Sequence, residues 1–518
     1  MPKTEIVKAL TGVFNLRCLK FPLIILTVFT FNTIANSQST YEYEGIELKK
    51  EDYNVNKLIL TDSDILMHSA RKMELHKGNR TLNRYSTFNA DFERLKSSEV
   101  DKSKYQIYDV YPFKGGNLIF SIEKVKKNEI VRVIKLNDDL SKTELFSHTL
   151  EKGQKSLTMD VTYSPDSTYL QATVCLYRGM IYNNDEVLFL VVDSNLEVKM
   201  KPIINIEEQA NCTAISVFNP KVTNEGKTLL YINAKRSPKQ LKAMNLRHVG
   251  EPAYRHELWI VDDGVSQIVP TTELMPFSVQ GSIYMLPDGN VATSYVERYK
   301  VKGSDDLESV LKWSVYNSDG ELLKQNDILI EPAFLADVTT KNKLKKIRIS
   351  PSFRYILDDN KLYFYLKSEL DYVQQSPHTM ITGAGTYTYG LLLVSVEDGV
   401  PSIQKTIPTF SVTAMQFMTD PIFIKNQDDV LLCYNDLTRN SENSFDDSDS
   451  FYKSFKKFTN NSLNILNLSN PDGDRIVVKE SDSMVVCLNS IVVDNYLYFI
   501  TINGKLSLKY SINKVLLN

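Results

Sequence analysis

Asp160-Val161-Thr162-Tyr163-Ser164-Pro165-Asp166-Ser167-Thr168-Tyr169-Leu170-Gln171-Ala172-Thr173-Val174 reads as strand, tight turn, strand. Val161 and Tyr163 alternate with polar neighbours, Ser164 to Ser167 supply turn chemistry, and Leu170 to Val174 resume an extended, β-branched run. Variants of this unit recur. Upstream, Gly115-Gly116-Asn117 precedes alternating apolar residues to Ile122. Downstream stand Phe218-Asn219-Pro220 with Asn224-Glu225-Gly226-Lys227, then Leu286-Pro287-Asp288-Gly289, then Ile349-Ser350-Pro351-Ser352, then the runs 417–424 and 488–494, each followed by an apolar strand.

Taking Phe113, Pro165, Pro220, Pro287, Pro351, Pro421 and Asn489 as markers, the spacings are 52, 55, 67, 64, 70 and 68 residues. Further strands fall between markers at Glu186 to Val192, Glu257 to Val261, Leu311 to Tyr316 and Leu391 to Val396. Some four strands per period is the content of a propeller blade, with loops taking up the excess length. A single blade cannot bury both of its faces, so the blades must stack in a ring. A β-helix needs a much shorter coil, and a pair of sandwiches needs a linker midway that the chain lacks.

Ser164-Pro165-Asp166, Leu286-Pro287-Asp288-Gly289 and Ser350-Pro351-Ser352 resemble the TolB-like propeller repeat, in which a Ser-Pro-Asp-Gly turn precedes a strand. The Gly is replaced by Ser167 and Phe353 in two of the three. The resemblance implies a ring of four-stranded blades that binds proteins or small ligands at one end of a central channel, without chemistry of its own.

Composition agrees with a folded β protein. Hydrophobic residues make up 42% and charged residues 24%, and 28 Tyr and 23 Phe against 2 Trp suit pleated, half-buried surfaces. A net charge of -3 carries no electrostatic footprint for nucleic acid. Lys3, Lys8, Arg17 and Lys20 precede the apolar run Phe21 to Phe31, and Ala35-Asn36-Ser37 follows it, the order of a cleaved export leader. The run is shorter than the roughly 20 residues a spanning helix needs. Cys18 lacks the small residues of a lipid-attachment site.

Beyond the leader stand Cys175, Cys212, Cys433 and Cys487. An oxidising compartment permits pairing of Cys175 with Cys212 and of Cys433 with Cys487; their apolar strand settings equally suit buried thiols. No Cys-x-x-Cys spacing points to zinc.

Chemistry is sparse. His68 and His76 flank Glu74 on an expected helix from Asp64 to His76, where eight residues of separation would keep the rings from sharing a ligand. His148, His248, His256 and His378 stand alone, each able to meet a Tyr across the ring as an acid–base pair. No Gly-x-Ser-x-Gly elbow occurs. Gly383 to Gly390 lacks the Lys and helix of a phosphate loop and reads as a hairpin loop between strands. The acidic stretch Asp446-Asp447-Ser448-Asp449, the turn Asn470 to Asp474, and the basic run Lys341, Lys343, Lys345, Lys346 and Arg348 read as solvated loops or faces. Asn79, Asn211, Asn460 and Asn467 lie in glycosylation sequons.

The chain is therefore expected to be an exported all-β protein, a β-propeller of seven blades with six or eight as alternatives. Its expected layout is a leader over 1–37, a polar N-terminal segment over 38–104 holding a strand from Lys57 to Thr61 that helps close the ring, and the propeller over 105–518. The expected location is periplasmic, cell-surface or extracellular, with membrane contact only through an uncleaved leader. The expected function is a non-catalytic binding or scaffold module for a protein or glycan partner, with no cofactor and no catalytic or metal residues. The alternative is a polysaccharide-degrading lyase or hydrolase using His and Tyr, which requires a His, a Tyr and an Arg or Lys converging at the channel mouth.

Overall fold

A computed structural model describes residues 42–43, 46–47, 54–61, 64–73, 80–89, 93–98, 105–178, 186–210, 212–236, 242, 253–273, 275, 279–300, 307–330, 348–375, 382–413, 420–437, 461–469, 476–481, 484–493, 496–503 and 509–517. The leader over 1–37 lies outside them, as do His76, His248, His378, Asn79, Asn211, Asn460, the acidic stretch 446–449, the turn 470–474 and the basic residues 341–346.

Consecutive antiparallel strands form eight blades arranged as a β-propeller. Blade 1 comprises Asn54–Leu60, Ile65–Met73, Arg80–Phe88 and Arg94–Ser97; blade 2 comprises Tyr105–Phe113, Gly116–Val125, Asn128–Leu136 and Lys142–Thr149. Blade 3 follows with Gln154–Tyr163, Leu170–Arg178, Glu186–Val192 and Val198–Met200, and blade 4 with Cys212–Val222, Thr228–Arg236, Tyr254–Val261 and Val265–Pro270. Blade 5 is Gly281–Met285, Val291–Lys300, Leu307–Tyr316 and Leu322–Ile330; blade 6 is Arg348–Asp358, Lys361–Gln375, Thr382–Glu397 and Val400–Thr413. Blade 7 is Ile422–Asn426, Asp429–Leu437, Asn461–Asn467 and Ile476–Ser481, and blade 8 has three strands, Met484–Val493, Tyr496–Asn503 and Lys509–Leu516. A short helix, Ile206–Ala210, joins blades 3 and 4.

The first strand of each blade lies at the axis, and that of blade 8 packs on that of blade 1, which closes the ring. A short strand, Glu42–Tyr43, lies against the last strand of blade 8. Hydrophobic clusters fill the gaps between blades. One joins blades 2 and 3 through Phe120, Val133, Leu170 and Leu188; another joins blades 5 and 6 through Trp313, Phe364 and Tyr284. Trp313 stacks on Phe364 with centroids 5.5 Å apart and donates Nε1–H to the Gly399 carbonyl at 3.1 Å.

Eight blades replace the expected seven, and the eighth comes from the N-terminal side. The expected helix over Asp64 to His76 is instead the strand Ile65–Met73. Ile65, Leu66, Met67, His68 and Ser69 are buried in succession. Only a strand pressed on both faces by neighbouring blades does this, whereas a surface helix buries one stripe.

The turn at Ser164 is built as its residues dictate. Ser164 Oγ donates to Asp166 Oδ1 at 2.7 Å, the Thr168 amide donates to Asp166 Oδ1 at 2.9 Å, and the Tyr169 amide donates to Ser164 Oγ at 2.9 Å. Ser167 sits at φ 56°, and Gly289 at the matching place in Leu286-Pro287-Asp288-Gly289 sits at φ 82°. The two motifs are one turn. Ser350-Pro351-Ser352 is not a third copy: it lies within the first strand of blade 6, whose turn is Asp359-Asn360. Likewise Gly383 to Gly390 is no hairpin loop but part of the third strand of that blade.

Candidate functional site

Turns between first and second strands, and between third and fourth, all fall at one end of the ring. First strands run toward that end, and those of blades 1 to 4 carry Lys57, Asp109, Asp160 and Lys221. In blade 1 Lys57 donates to Asp109 Oδ1 of blade 2 at 2.9 Å. The same ammonium stands 4.0 Å from the centroid of Tyr111, whose hydroxyl donates to Asp109 Oδ2 at 2.6 Å. The Val110 amide adds a third donor to Asp109 at 2.8 Å. One carboxylate is thus fixed by an ammonium, a phenol and an amide.

The next two blades supply a second pair. Asp160 precedes the turn at Ser164, and Lys221 precedes the turn at Thr223. Surrounding protein pushes the Asp160 carboxyl above the usual carboxylate range, an effect that the Lys221 ammonium opposes. Asp160 nevertheless keeps exposed surface. Lys221 is buried, which pushes its ammonium down to about 8 against the attraction of Asp160. It lies 4.7 Å from the Tyr355 ring of blade 6.

Tyrosines line the space between. Tyr163 packs edge-on to Tyr111 at 6.5 Å and donates its hydroxyl to the Pro112 carbonyl at 2.6 Å. Burial, and then the Asp109 charge, hold the Tyr111 and Tyr163 phenols protonated well above the usual range. Across the axis Asn219 donates to the Phe353 carbonyl at 3.0 Å. Both residues sit at irregularities in their strand pairing, which bring first-strand backbone inward.

The histidines are elsewhere. His256 Nδ1 lies 3.1 Å from the Tyr231 hydroxyl and its Nε2 2.8 Å from the Val279 carbonyl, between blades 4 and 5. A Cβ on Gly281 would come within 2.6 Å of Tyr231 and 3.1 Å of His256. His68 stacks on Tyr85 at 5.3 Å, with Nε2 2.9 Å from Asn83 Oδ1. Both rings are fully enclosed, and burial lowers each to about 4. His148 lies in the outer strand of blade 2. So the structure does make His–Tyr pairs, and among the described residues they are packed between or within blades rather than at the channel.

Cys175 is a free, buried thiol in the second strand of blade 3, and burial pushes it up to about 12. Cys433 is buried in the second strand of blade 7. Cys212 and Cys487 begin or occupy first strands of blades 4 and 8, with side chains outside the described part. Asn467 closes the third strand of blade 7. No three His, Cys, Asp or Glu side chains among the described residues gather to hold a metal ion.

Lys57, Asp109, Tyr111, Asp160 and Lys221 were not singled out by sequence reasoning. The available signal was charge inside a strand directly before a turn, as in Asp160-Val161 and Pro220-Lys221-Val222.

No family model matches the chain, and no curated protein does. Among solved structures it is similar to the β-propeller domain of the Trilobed protease from Pyrococcus furiosus, at 12% identity and TM-score 0.35, covering 82% of this chain and 95% of that one. It is also similar to the polysaccharide lyase Uly1, at 10% identity and TM-score 0.32 over 95% of both chains. A third is the α-L-arabinofuranosidase Arb93A from Fusarium graminearum, at 8% identity and TM-score 0.33, covering 69% of this chain and 92% of that one. Likenesses of this strength bear on nothing beyond the fold.

Proposed function

We propose that the protein cleaves glycosidic bonds by acid–base chemistry in the central channel, with Asp109 and Asp160 as the working pair. The observation that carries this reading is the unlike environment of the two carboxyls. Asp109 accepts from Lys57, Tyr111 and the Val110 amide, whereas Asp160 is crowded, raised and still in contact with solvent. One carboxyl raised toward its protonated form and a second held by donated hydrogen bonds can serve as proton donor and proton acceptor.

In this reading Asp160 gives its proton to the departing glycosidic oxygen. Water adds to the anomeric carbon and releases a proton to Asp109, so that bond and proton counts balance. Lys221 tunes the Asp160 proton by its charge, and Lys57 with Tyr111 hold the Asp109 oxygens in place. In this reading carboxyl chemistry takes the place of the His–Tyr chemistry expected from sequence, because His68 and His256 are buried where no substrate reaches them.

The test is product detection on a panel of neutral and acidic polysaccharides with the purified chain. New reducing ends are expected from at least one glycan, with Asp160→Asn lowering turnover by about 10²–10⁴-fold, the usual worth of a positioned proton donor. Unchanged glycans across the panel, together with specific capture of a protein by the same chain, would favour the scaffold reading.

A further inference from the structure

The first strands border the channel, and most of their charges are answered within the protein. Lys57 pairs with Asp109, Lys425 with Asp358, and Arg348 with Glu369 of the strand behind. Left over are Asp160 against Lys155, Lys221 and Arg354, none of which makes an ion pair among the described residues. Lys155 stands at the far end of its strand from the turn at Ser164, so the middle of the channel sets one carboxyl against two cations. With Asp160 protonated, as a proton donor must be, both positive charges stand unbalanced. Such a surplus along a concave wall draws in an anionic ligand.

Of the two cations, Lys221 already faces Asp160 and the Tyr355 ring. Arg354 has no such engagement. Its guanidinium lies 5.3 Å from the centroid of Phe353 and makes no hydrogen bond or ion pair among the described residues. Asp420, which shares the surroundings of the Tyr365 phenol with Arg354, is bonded to Lys367 at 2.9 Å. Arg354 Nε is enclosed, whereas its terminal nitrogens are not. Phe353 is 39% exposed at the middle of its strand, where neighbouring blades cover both faces and open surface faces the axis. The backbone carrying both side chains is held from two other blades. Ser282 Oγ donates to the Pro351 carbonyl at 3.1 Å, the Tyr284 hydroxyl to the Ser352 carbonyl at 2.8 Å, and Asn219 Nδ2 to the Phe353 carbonyl at 3.0 Å. Groups fixed before binding lose little freedom on binding.

We infer that Arg354, with Phe353 beside it, recognises an acidic group on a sugar, and that the channel takes an acidic polysaccharide. A guanidinium offers paired N–H donors that match a carboxylate or a sulfate. The exposed ring offers a face to the apolar side of a sugar. That the ligand is a sugar rests on the channel reading. That it is an anion does not, since it comes from the charges left unpaired.

The experiment uses the full chain carrying Asp160→Asn, which prevents turnover and copies the protonated carboxyl. Calorimetry follows its titration with trigalacturonate, trimannuronate and sulfated neocarratetraose, and with neutral xylotriose and cellotriose. At least one acidic oligosaccharide is expected to bind about tenfold or more tightly than either neutral one, and the carboxylate and sulfate arms tell which acid is read. Adding Arg354→Gln should weaken that binding by about tenfold, the worth of a charge-assisted hydrogen bond, with Arg354→Lys keeping part of it. Should Arg354→Gln fail to fold, the bound acidic oligosaccharide is expected to protect Arg354 from phenylglyoxal, read by mass spectrometry. Absence of any preference for an acidic oligosaccharide, or acidic binding indifferent to Arg354, would overturn the proposal. Cleavage of neutral glycans alone by the unmodified chain would sink this inference and leave the channel chemistry standing. Acidic binding through Arg354 with no glycan cleaved by the unmodified chain would sink the chemistry and leave the binding site.

Discussion

The channel cluster and the interblade histidine pairs use similar residue types to opposite ends. Around the channel, Asp160 is hemmed in yet wet, and Lys221 is brought down to about 8. Between blades 4 and 5, His256 meets a Tyr hydroxyl, a backbone carbonyl and the edge of Tyr295, with no exposed surface at all. A His beside a Tyr is the more familiar acid–base pair, but a group sealed from solvent and substrate can only fasten structure. Access to water separates working groups from structural ones here, more than residue type does.

Acid titration of stability should give the largest effect on the dry side of this contrast. Unfolded, His68 and His256 take up a proton near 6.5; folded, near 4. The unfolded chain therefore binds more protons between these values, and stability falls as pH drops from about 6.5 to about 4. The loss is about 3 kcal/mol for each ring, read from denaturation midpoints across that range. A stability curve flat from pH 7 to pH 4 would place the rings in contact with solvent and dissolve the contrast.

On the wet side, turnover should fall as pH rises and Asp160 loses the proton it donates, and removing the Lys221 charge, which favours the ionised carboxylate, should move that limb to higher pH. A pH–rate profile of the wild-type chain beside Lys221→Met checks this, and a limb left in place or moved to lower pH would contradict it.

A smaller effect is expected from Gly281→Ala, which forces Tyr231 and His256 apart by adding a Cβ where no space exists. Overpacking of this kind costs about 1–3 kcal/mol, and chemical denaturation should show it. Smallest of all, Ser167→Gly relieves the left-handed backbone at the quoted turn and should add about 0.5–1 kcal/mol, measurable as a shift in denaturation midpoint.

How much of this was legible follows the same division between dry and wet. Second and third strands read clearly because blades cover both of their faces. Glu186 to Val192 is buried at every position and was expected with those very limits. Leu322–Ile330, an outer strand, is mostly exposed and is broken in sequence by the polar run Lys324 to Asp327, although it completes blade 5. Blade 1 was missed for a related reason. Its strands mix Lys57, His68, Arg71, Lys72 and Arg84 with the apolar residues, which hides the run that marks a strand buried on both faces. The channel groups could not be read as a site, since Lys57, Asp109, Asp160 and Lys221 lie far apart in sequence and are brought near one another only when blades 1 to 4 pack side by side. Their individual strands were readable, but not the ring geometry that brings them together.

The most direct test compares turnover of Asp160→Asn and His256→Leu on any glycan the wild-type chain cleaves, both held below their melting temperatures. The channel account predicts that Asp160→Asn melts close to the wild type and loses about 10²–10⁴-fold in turnover, while His256→Leu is destabilised and keeps turnover within about tenfold. Loss of turnover in folded His256→Leu with activity retained in Asp160→Asn would contradict it.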